Sequence, residues 1–355
     1  QERHFQARNW EPFTVPPESI EAVLLTHAHL DHCGLLPKLV KDGFRGKIYC
    51  TEATAELARI ILLDSAKLQE EDAEFKRKRH EREGRKGPRP EVPLYTVADA
   101  EASFPHFSPV RYKQPVEISA GIEATFCEAG HVLGSSIIKV KVSQNGRDRT
   151  VLFSGDVGRP HRPIVRDPSL VGEADYVLVE STYGDRVHQG PEDTKKTIAE
   201  VINSTKQAGG NLVVPSFALE RSQELLYYIN ELLIEKAIPH LMVFLDSPMA
   251  ASITKVFQRH RELYDEQMKE LLRHNNSPFD FPGLKMIGTS DESKAINHIR
   301  GTVVIIAGSG MCTGGRIKHH LVNNITKYQN TIMFVGYQAA GTLGRRILDG
   351  EKQVR

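Results

Sequence analysis

The chain has few cysteines, and they are widely scattered. Only four occur among 355 residues, at positions 33, 50, 127 and 312, and no two form a C-x-x-C pair. A zinc knuckle and a disulfide framework are therefore excluded, because both need numerous or closely spaced cysteines. A reducing cytoplasm is the compartment that fits this cysteine usage best.

Long apolar runs and an excess of one charge are also lacking. No stretch approaches the roughly 18 consecutive apolar residues of a membrane span, so no membrane partner is expected. The 46 Lys and Arg against 45 Asp and Glu exclude a globally basic nucleic-acid binder. The best local basic patch is segment 76–90, KRKRHEREGRKGPRP. We interpret it first as a solvated helix end running into a loop, and only second as an RNA-contacting edge.

Short β-rich runs recur along the chain, and each is followed at once by a polar or glycine-rich turn. They are AVLLT, TVLFSG, YVLVE, LVVPS, LMVFLD, VVIIAG and IMFVG. Helical periodicity covers Thr51 to about Glu83, with Thr51 as the N-cap, and then 192–208, 221–236, 248–261 and 316–326. Between residues 96 and 142 shorter strands and turns are expected. The pattern and the length predict an α/β protein with two domains or one large unit, and with functional groups at the carboxyl ends of strands.

One stretch, THAHLDHCG at residues 26–34, concentrates metal-binding side chains after an apolar run. His27, His29 and His32, with Asp31 between them, offer imidazole and carboxylate ligands on a turn, enough for parts of two zinc sites. A satisfied structural cluster is the alternative, but such groups packed together without a metal would repel or desolvate one another. The cluster alone predicts a hydrolase without naming the bond.

The pattern HxHxDH, followed by GHVLGS around His131 and FSGDVGR around Asp156, resembles the metallo-β-lactamase superfamily. The resemblance implies that His27, His29 and His131 hold one Zn²⁺, that Asp31 and His32 hold a second, and that Asp156 bridges both. It further implies hydrolysis by a hydroxide held between the two zinc ions, with Asp31 helping to orient it. Asp31, Asp156 and Glu180 are thereby the expected catalytic carboxylates.

Five later strings occur in one order and resemble the β-CASP nucleases, the branch with the mRNA 3′-end cleavage subunit and RNase J. They are VLVESTYGDR, VPSFALERSQELL, DSPMA, AGSGMCTGGR and FVGYQAAGTLGRR. The implied fold is a metallo-β-lactamase αββα sandwich, residues 1–186, with an inserted α/β (Rossmann-like) β-CASP cap, residues 187–355. The family's first strands, its closing segment and two further histidines are expected outside this stretch.

Candidate substrate contacts lie in the second half. Gly308 to Gly310, with Gly314 and Gly315, could turn backbone N–H groups toward a phosphate, although such turns are more often connectors. Arg221 is a phosphate contact or a salt-bridged surface residue, and Ser216 a phosphate contact or a cap. Glu180 ends a strand, where it could orient a catalytic histidine, and His319 and His320 are expected not to be ligands. The candidate contacts are Ser216, Arg221, Ser309, Gly310 and Arg316.

These observations predict a cytoplasmic, zinc-dependent RNA phosphodiesterase that binds single-stranded RNA in the cleft between its domains. Endonuclease and 5′-exonuclease action are both open, and a homodimer is one option for its assembly. A DNA-processing β-CASP nuclease is the nearest alternative. A small-molecule hydrolase of thioesters, lactones or cyclic nucleotides would use the same zinc pair without the cap. A silent scaffold subunit would tend to have lost metal ligands, all of which are present here.

Overall fold

A computed structural model describes residues 8–85, 91–185, 187 and 190–354. The chain divides into two compact units. Unit 1 comprises Gln1–Pro160 and Asp167–Thr182, and unit 2 comprises His161–Arg166 and Tyr183–Arg355. The domain boundary predicted after residue 186 falls on a residue outside the described part, as do residues 86–90 of the basic segment.

Unit 1 contains two β-sheets. The strands β1 (Ala22–Leu24), β2 (Lys47–Thr51) and β3 (Phe107–Val110) form a parallel sheet in the order β1-β2-β3. The second sheet contains five strands that neighbour one another in chain order. Neighbouring strands are antiparallel, except that the last two are parallel. Its strands are β4 (Pro115–Ser119), β5 (Ile122–Glu128), β6 (Ser136–Gln144), β7 (Arg147–Phe153) and β8 (Tyr176–Leu178). Apolar side chains of both sheets form one core cluster, because each sheet buries the face that points toward the other.

Four α-helices complete unit 1 in the part that the structure describes. They are α1 (Leu30–Cys33), α2 (Leu36–Lys41), α3 (Glu52–Glu83) and α4 (Val97–Ser103), with 3-10 turns at Pro17–Ser19 and Phe104–His106. The predicted N-cap of α3 is confirmed, since the Thr51 side chain accepts a hydrogen bond from the Thr54 N–H at 3.2 Å. The helix ends at Gly84, whose φ of 60° is the left-handed conformation that favours glycine.

Unit 2 is built on a five-stranded parallel sheet in the order β11-β10-β12-β9-β13. Its strands are β9 (Leu212–Pro215), β10 (Met242–Asp246), β11 (Leu284–Met286), β12 (Val303–Ala307) and β13 (Thr331–Ile332). The described helices are α5 (Pro191–Gln207), α6 (Arg221–Ile234), α7 (Pro248–Arg259), α8 (Glu266–Arg273), α9 (Ser290–Ile296), α10 (Ile317–Asn324) and α11 (Leu343–Leu348), with a 3-10 turn at Arg261–Leu263.

The central strands of unit 2 are almost entirely apolar, as is typical of a buried parallel sheet, and Asp246 at the end of β10 is the charged exception. All five residues of β12, VVIIA, are buried, and Val213 and Phe244 of the neighbouring strands share their core cluster. The expected α/β character of the second half is therefore confirmed. Across the described residues of both units, no helix combines the length and apolarity needed to cross a membrane.

Candidate metal centre

The three histidines of the first motif follow β1, two in the connecting loop and one in the short helix α1. β1 ends at Leu24 and α1 begins at Leu30, so His27 and His29 lie in the connecting loop. His27 is fully buried, and its Nε2 lies 3.1 Å from Nδ1 of His29. His32 is in α1, where its ring centroid is 4.0 Å from that of His27.

His131 reaches the same point from the loop between β5 and β6. Its Nε2 lies 3.1 Å from Nδ1 of His29. Two threonines fix this loop, because the hydroxyls of Thr51 and Thr54 donate to the Gly134 carbonyl at 2.7 and 2.8 Å. Gly134 has φ of +81°, and a Cβ there would lie 2.7 Å from the Thr51 hydroxyl, so a glycine is required.

Asp156 follows β7 on a loop that touches the His131 loop. The Gly158 N–H donates to the Ala129 carbonyl at 2.8 Å, and a Cβ on Gly158 would lie 1.6 Å from the Gly130 carbonyl oxygen. Only glycine therefore allows the two loops to approach this closely. Asp156 Oδ2 lies 3.5 Å from His131 Nε2, within reach of a shared ion.

The donor atoms of His27, His29, His131 and Asp156 all lie within 4.8 Å of one another. A tetrahedral zinc ion with bonds of about 2.0–2.1 Å needs donors roughly 3.4 Å apart. The closest donor pairs in this group are separated by 3.1 to 3.7 Å. Three imidazoles and one carboxylate at this spacing therefore fit a zinc ion.

The remaining predicted ligands join this group through Asp156. Its second oxygen, Oδ1, lies 3.3 Å from His32 Nε2, while Oδ2 faces His27 at 3.7 Å. Asp31 is more peripheral, with 80% of its side chain exposed and its Oδ2 3.7 Å from His32 Nε2. The Asp156 carboxylate thus faces both sets of histidines, which is the position that a bridging ligand requires.

The local electrostatics hold His27 and Asp156 in the protonation states that bind metals, whereas they favour the protonated ring of His32. Burial, reinforced by the neighbouring imidazoles, lowers the pKa of His27 to about 2, so its ring is neutral at physiological pH. The hydrogen bond from His32 holds the pKa of Asp156 well below its usual range. The same bond raises the pKa of His32. Neutral imidazole and ionised carboxylate are the forms that coordinate metal.

Glu180 lies beside the Asp156 loop. Its carboxylate accepts hydrogen bonds from the Val157 and Thr182 N–H groups, both at 3.2 Å, and its own N–H donates to the Ser154 hydroxyl at 3.1 Å. Its charge also contributes to the raised pKa of His32. Glu180 therefore braces the loop that carries Asp156, a contact that the sequence reasoning did not foresee.

In unit 2, Ser216, Ser309 and Gly310 lie at the carboxyl ends of β9 and β12. The Ser216 N–H donates to the Ala307 carbonyl at 2.9 Å, and the Ser309 hydroxyl accepts from the Gly314 N–H at 3.2 Å. A Cβ on Gly310 would lie 2.7 Å from the Phe217 ring, so this glycine is needed for packing. Their contacts with a phosphate stay predictions.

The two arginines predicted in unit 2 are held by carboxylates. Arg221 Nη1 donates to Glu224 at 2.7 Å, which was one of the two alternatives considered for it. Arg316 Nη1 donates to Asp246 at 2.7 Å, and its Nη2 donates to the Gly288 carbonyl at 2.8 Å.

Sequence reasoning missed Asp246, which is fully buried at the end of β10. It also contacts Nε2 of the buried His320 at 2.6 Å and accepts from the Ser293 hydroxyl at 2.5 Å. Burial opposes its ionisation, but these hydrogen bonds and that of Arg316 outweigh burial and lower the pKa of Asp246. The sequence did contain a signal for Asp246, because it is an acidic residue at the end of the apolar run LMVFLD. Glu180 was selected from the same kind of position at the end of YVLVE.

Comparisons with known proteins identify the family of each part of the chain. A metallo-beta-lactamase superfamily domain matches residues 4–154, and a Beta-Casp domain matches residues 222–347. A ribonuclease of Thermus thermophilus is 37% identical over 350 residues, which cover 99% of this chain and 75% of that protein. The chain belongs to the β-CASP family of the metallo-β-lactamase superfamily.

Two archaeal members of the family are proteins named transcription termination factor FttA. The protein of Methanosarcina mazei is 32% identical and that of Methanocaldococcus jannaschii 33% identical, over 97% and 95% of this chain. The chain spans about half the length of these two relatives, 51% and 50%.

Proposed function

We propose that this β-CASP protein is a metal-dependent ribonuclease that hydrolyses phosphodiester bonds of single-stranded RNA. The convergence of His27, His29, His131 and Asp156 within 4.8 Å carries the proposal. Family membership supports the metal-dependent hydrolase class, and the 37% identical Thermus thermophilus relative bears the name ribonuclease. RNA as the substrate is our inference from these two observations together.

We infer that the donor set holds two zinc ions, because His32 and Asp31 adjoin the four-residue group through Asp156. His27, His29, His131 and Asp156 would hold the first, and Asp156, His32 and Asp31 the second. When bound, the pair would supply a nucleophilic water at neutral pH and offset the negative charge on the phosphate. The first site would have four protein ligands, whereas the second would have three and would keep a fourth position for water, as a catalytic site requires.

The protein's own residues prepare this chemistry in three ways. Burial keeps His27 neutral, and the contact with His32 keeps Asp156 ionised, so neither needs to change protonation before binding metal. Glu180 holds the Asp156 loop through backbone N–H groups. The exposed Asp31 carboxylate can accept a hydrogen bond from the attacking water and orient it toward phosphorus.

Incubation of the full-length protein with RNA labelled at the 5′ or the 3′ end tests the proposal. We expect cleavage that stops when a chelator removes zinc and returns when zinc is restored. A ladder of fragments would identify an endonuclease, and mononucleotides released from the 5′ end would identify an exonuclease. Intact RNA in the presence of zinc, with metal bound at stoichiometric amounts, would overturn the proposal.

The same experiment separates the alternatives. Single-stranded DNA of matching sequence tests the DNA-processing alternative, and a generic phosphodiester or a thioester tests the small-molecule hydrolase. Cleavage of those compounds with no cleavage of RNA would favour the small-molecule hydrolase. Failure to bind zinc at all would favour a silent scaffold.

A further inference from the structure

Three aromatic side chains of unit 2 lie next to one another and are partly exposed. Tyr337 is 56% exposed, Phe217 38% and Tyr183 37%. The rings of Tyr183 and Tyr337 meet edge to face, with their centroids 6.4 Å apart. The Phe217 ring lies against Gly336, the residue before Tyr337, because a Cβ there would be 3.4 Å from the ring. We call these three rings the aromatic platform.

The surrounding backbone holds the platform in place. The Phe217 carbonyl accepts hydrogen bonds from the Ser222 hydroxyl at 2.7 Å and from its N–H at 3.2 Å. The ring packs against Gly310, where a Cβ would lie 2.7 Å from it. The buried amide of Gln338 donates to the carbonyls of Gly310 at 2.9 Å and Gly336 at 3.2 Å. The rings are therefore positioned before any ligand binds, which lowers the entropic cost of binding.

The platform adjoins the glycine turn 308–315, which contains the predicted phosphate contacts. The start of α11 is attached to this turn, because the Gly344 N–H donates to one of its carbonyls at 3.1 Å. Arg345, the next residue, is close enough to Tyr337 for an electrostatic interaction. Its ion pair with Asp349 joins two half-exposed side chains, so the guanidinium can exchange that partner for a phosphate. Aromatic rings and a positive charge are therefore next to each other.

Exposed rings beside positive charge are the arrangement with which proteins bind single-stranded nucleic acids. We propose that the aromatic platform stacks unpaired bases of an RNA substrate. The inference rests on the proposed ribonuclease function, whose substrate it specifies further. Because every base has a flat π face, the platform selects RNA that is unstructured and tolerates any base sequence.

An apolar segment of another protein is the alternative occupant of the platform. Two of the three rings carry hydroxyl groups, and the Arg345 guanidinium lies beside them. Groups of this kind suit a polyanion with flat bases better than an apolar peptide, which would leave them without polar partners.

Equilibrium binding of a labelled, unpaired RNA to the full, zinc-loaded chain tests the platform. Phosphorothioate linkages in the RNA slow its hydrolysis during the measurement. Tyr337→Ala and Phe217→Ala should each weaken binding roughly 5- to 150-fold, the range for loss of one stacked base. Tyr337→Phe should bind like the native chain, because the ring is retained. Native affinity of Tyr337→Ala would overturn the proposal.

Tyr328→Ala is the matched control for these variants. Tyr328 is fully exposed and precedes β13, whereas Tyr337 follows it, so the control removes a tyrosine from the other end of the same strand. The control should bind RNA like the native chain. All variants should keep the native zinc content, since the zinc ligands lie in unit 1. A loss of affinity in Tyr328→Ala equal to that in Tyr337→Ala would refute a specific platform.

RNA that lacks bases distinguishes stacking from contacts with the backbone. An abasic strand should bind the native chain more weakly than the intact strand, and Tyr337→Ala should cause no further loss with it. Duplex RNA should also bind more weakly, because its bases are already stacked on one another. If Tyr337→Ala weakened binding of the abasic and intact strands equally, stacking would be refuted.

Tryptophan fluorescence reports the stacking directly, because Trp10 is the only tryptophan of the sequence. In a Trp10→Phe background, RNA should quench the fluorescence of Tyr337→Trp and leave that of Tyr328→Trp unchanged. RNA cleavage without this quenching would overturn the platform and leave the ribonuclease function in place. Quenching without RNA cleavage would support the platform and overturn the ribonuclease function.

Discussion

The carboxyl ends of strands carry polar residues in both units, but the two units use them differently. In unit 1, the side chains of His27, His29, His131 and Asp156 point their donor atoms at one another around a common centre. In unit 2, Asp246 at the end of β10 contacts an arginine, a histidine and a serine. The arrangement in unit 1 fits an added metal cation, whereas the arrangement in unit 2 already contains a cation, the Arg316 guanidinium. Similar residue types at similar positions therefore form a candidate binding site in one unit and a network of internal hydrogen bonds in the other.

The largest expected effect concerns Asp156, the carboxylate that faces both sets of histidines. Asp156→Asn should reduce zinc affinity and RNA cleavage by more than the roughly 10–100-fold typical of an outer-shell partner. The melting temperature of the metal-free protein should change little, since the side chain is part-exposed. Zinc titration by calorimetry and a labelled-RNA assay measure the two quantities. An active, metal-depleted variant would refute the role, and Asp291→Asn, which is 94% exposed, is the control.

The opposite result is expected for Asp246. Asp246→Asn removes a buried carboxylate from its contacts with the part-exposed Arg316 and the buried His320, and the cost should approach the roughly 3–5 kcal/mol of breaking a buried pair. Chemical denaturation should show a less stable unit 2, while zinc binding at the histidines of unit 1 is retained. If Asp246→Asn abolished zinc binding and left the stability unchanged, the assignment of Asp246 to stability would be wrong.

Gly158 tests how closely the Asp156 and His131 loops must approach. Gly158→Ala places a Cβ against the Gly130 carbonyl, and the resulting displacement should cost about 1–3 kcal/mol and weaken zinc binding. Gly172→Ala is the matched control, because a Cβ there meets nothing within 4 Å. Equal behaviour of the two variants in denaturation and zinc titration would show that the loop contact is unimportant.

The smallest effect concerns the pH dependence of stability in unit 2. Because the pKa of Asp246 is lower in the folded state than its ordinary value of 3.8, its ionised form stabilises the fold above that value. This contribution is lost as the pH falls through the folded pKa. The stability difference between the native chain and Asp246→Asn should therefore be full at neutral pH and shrink in acid. A difference that grows on acidification would contradict the assignment.

The sequence predicted elements and motifs well where a residue's role depends on its neighbours in the chain. The strand ends, the N-cap at Thr51 and the α/β alternation of the second half follow from local periodicity and capping chemistry. The order and spacing of the motifs indicated the resemblance to the β-CASP nucleases, and the family comparison confirmed it. The hypothesis that the basic segment 76–90 contacts RNA is weakened, because Lys76, Lys78 and Arg79 are paired with acidic side chains.

Partners far apart in the chain could not be predicted in this way. Asp246 and Arg316 are 70 residues apart, and Glu180 meets the Val157 N–H across 23 residues. No local pattern records which of many carboxylates a given arginine will meet.

The sequence by itself determined which chemical groups the protein has and which of them stand at strand ends, because local hydrophobic periodicity defines strands and turns. It also determined the family, through motifs in a common order. Only the tertiary structure decided that the Asp156 carboxylate faces both His27 and His32 and that Arg316 is engaged by Asp246. The reason is that these distances follow from the packing of loops and sheets, which depends on contacts between residues remote in the chain.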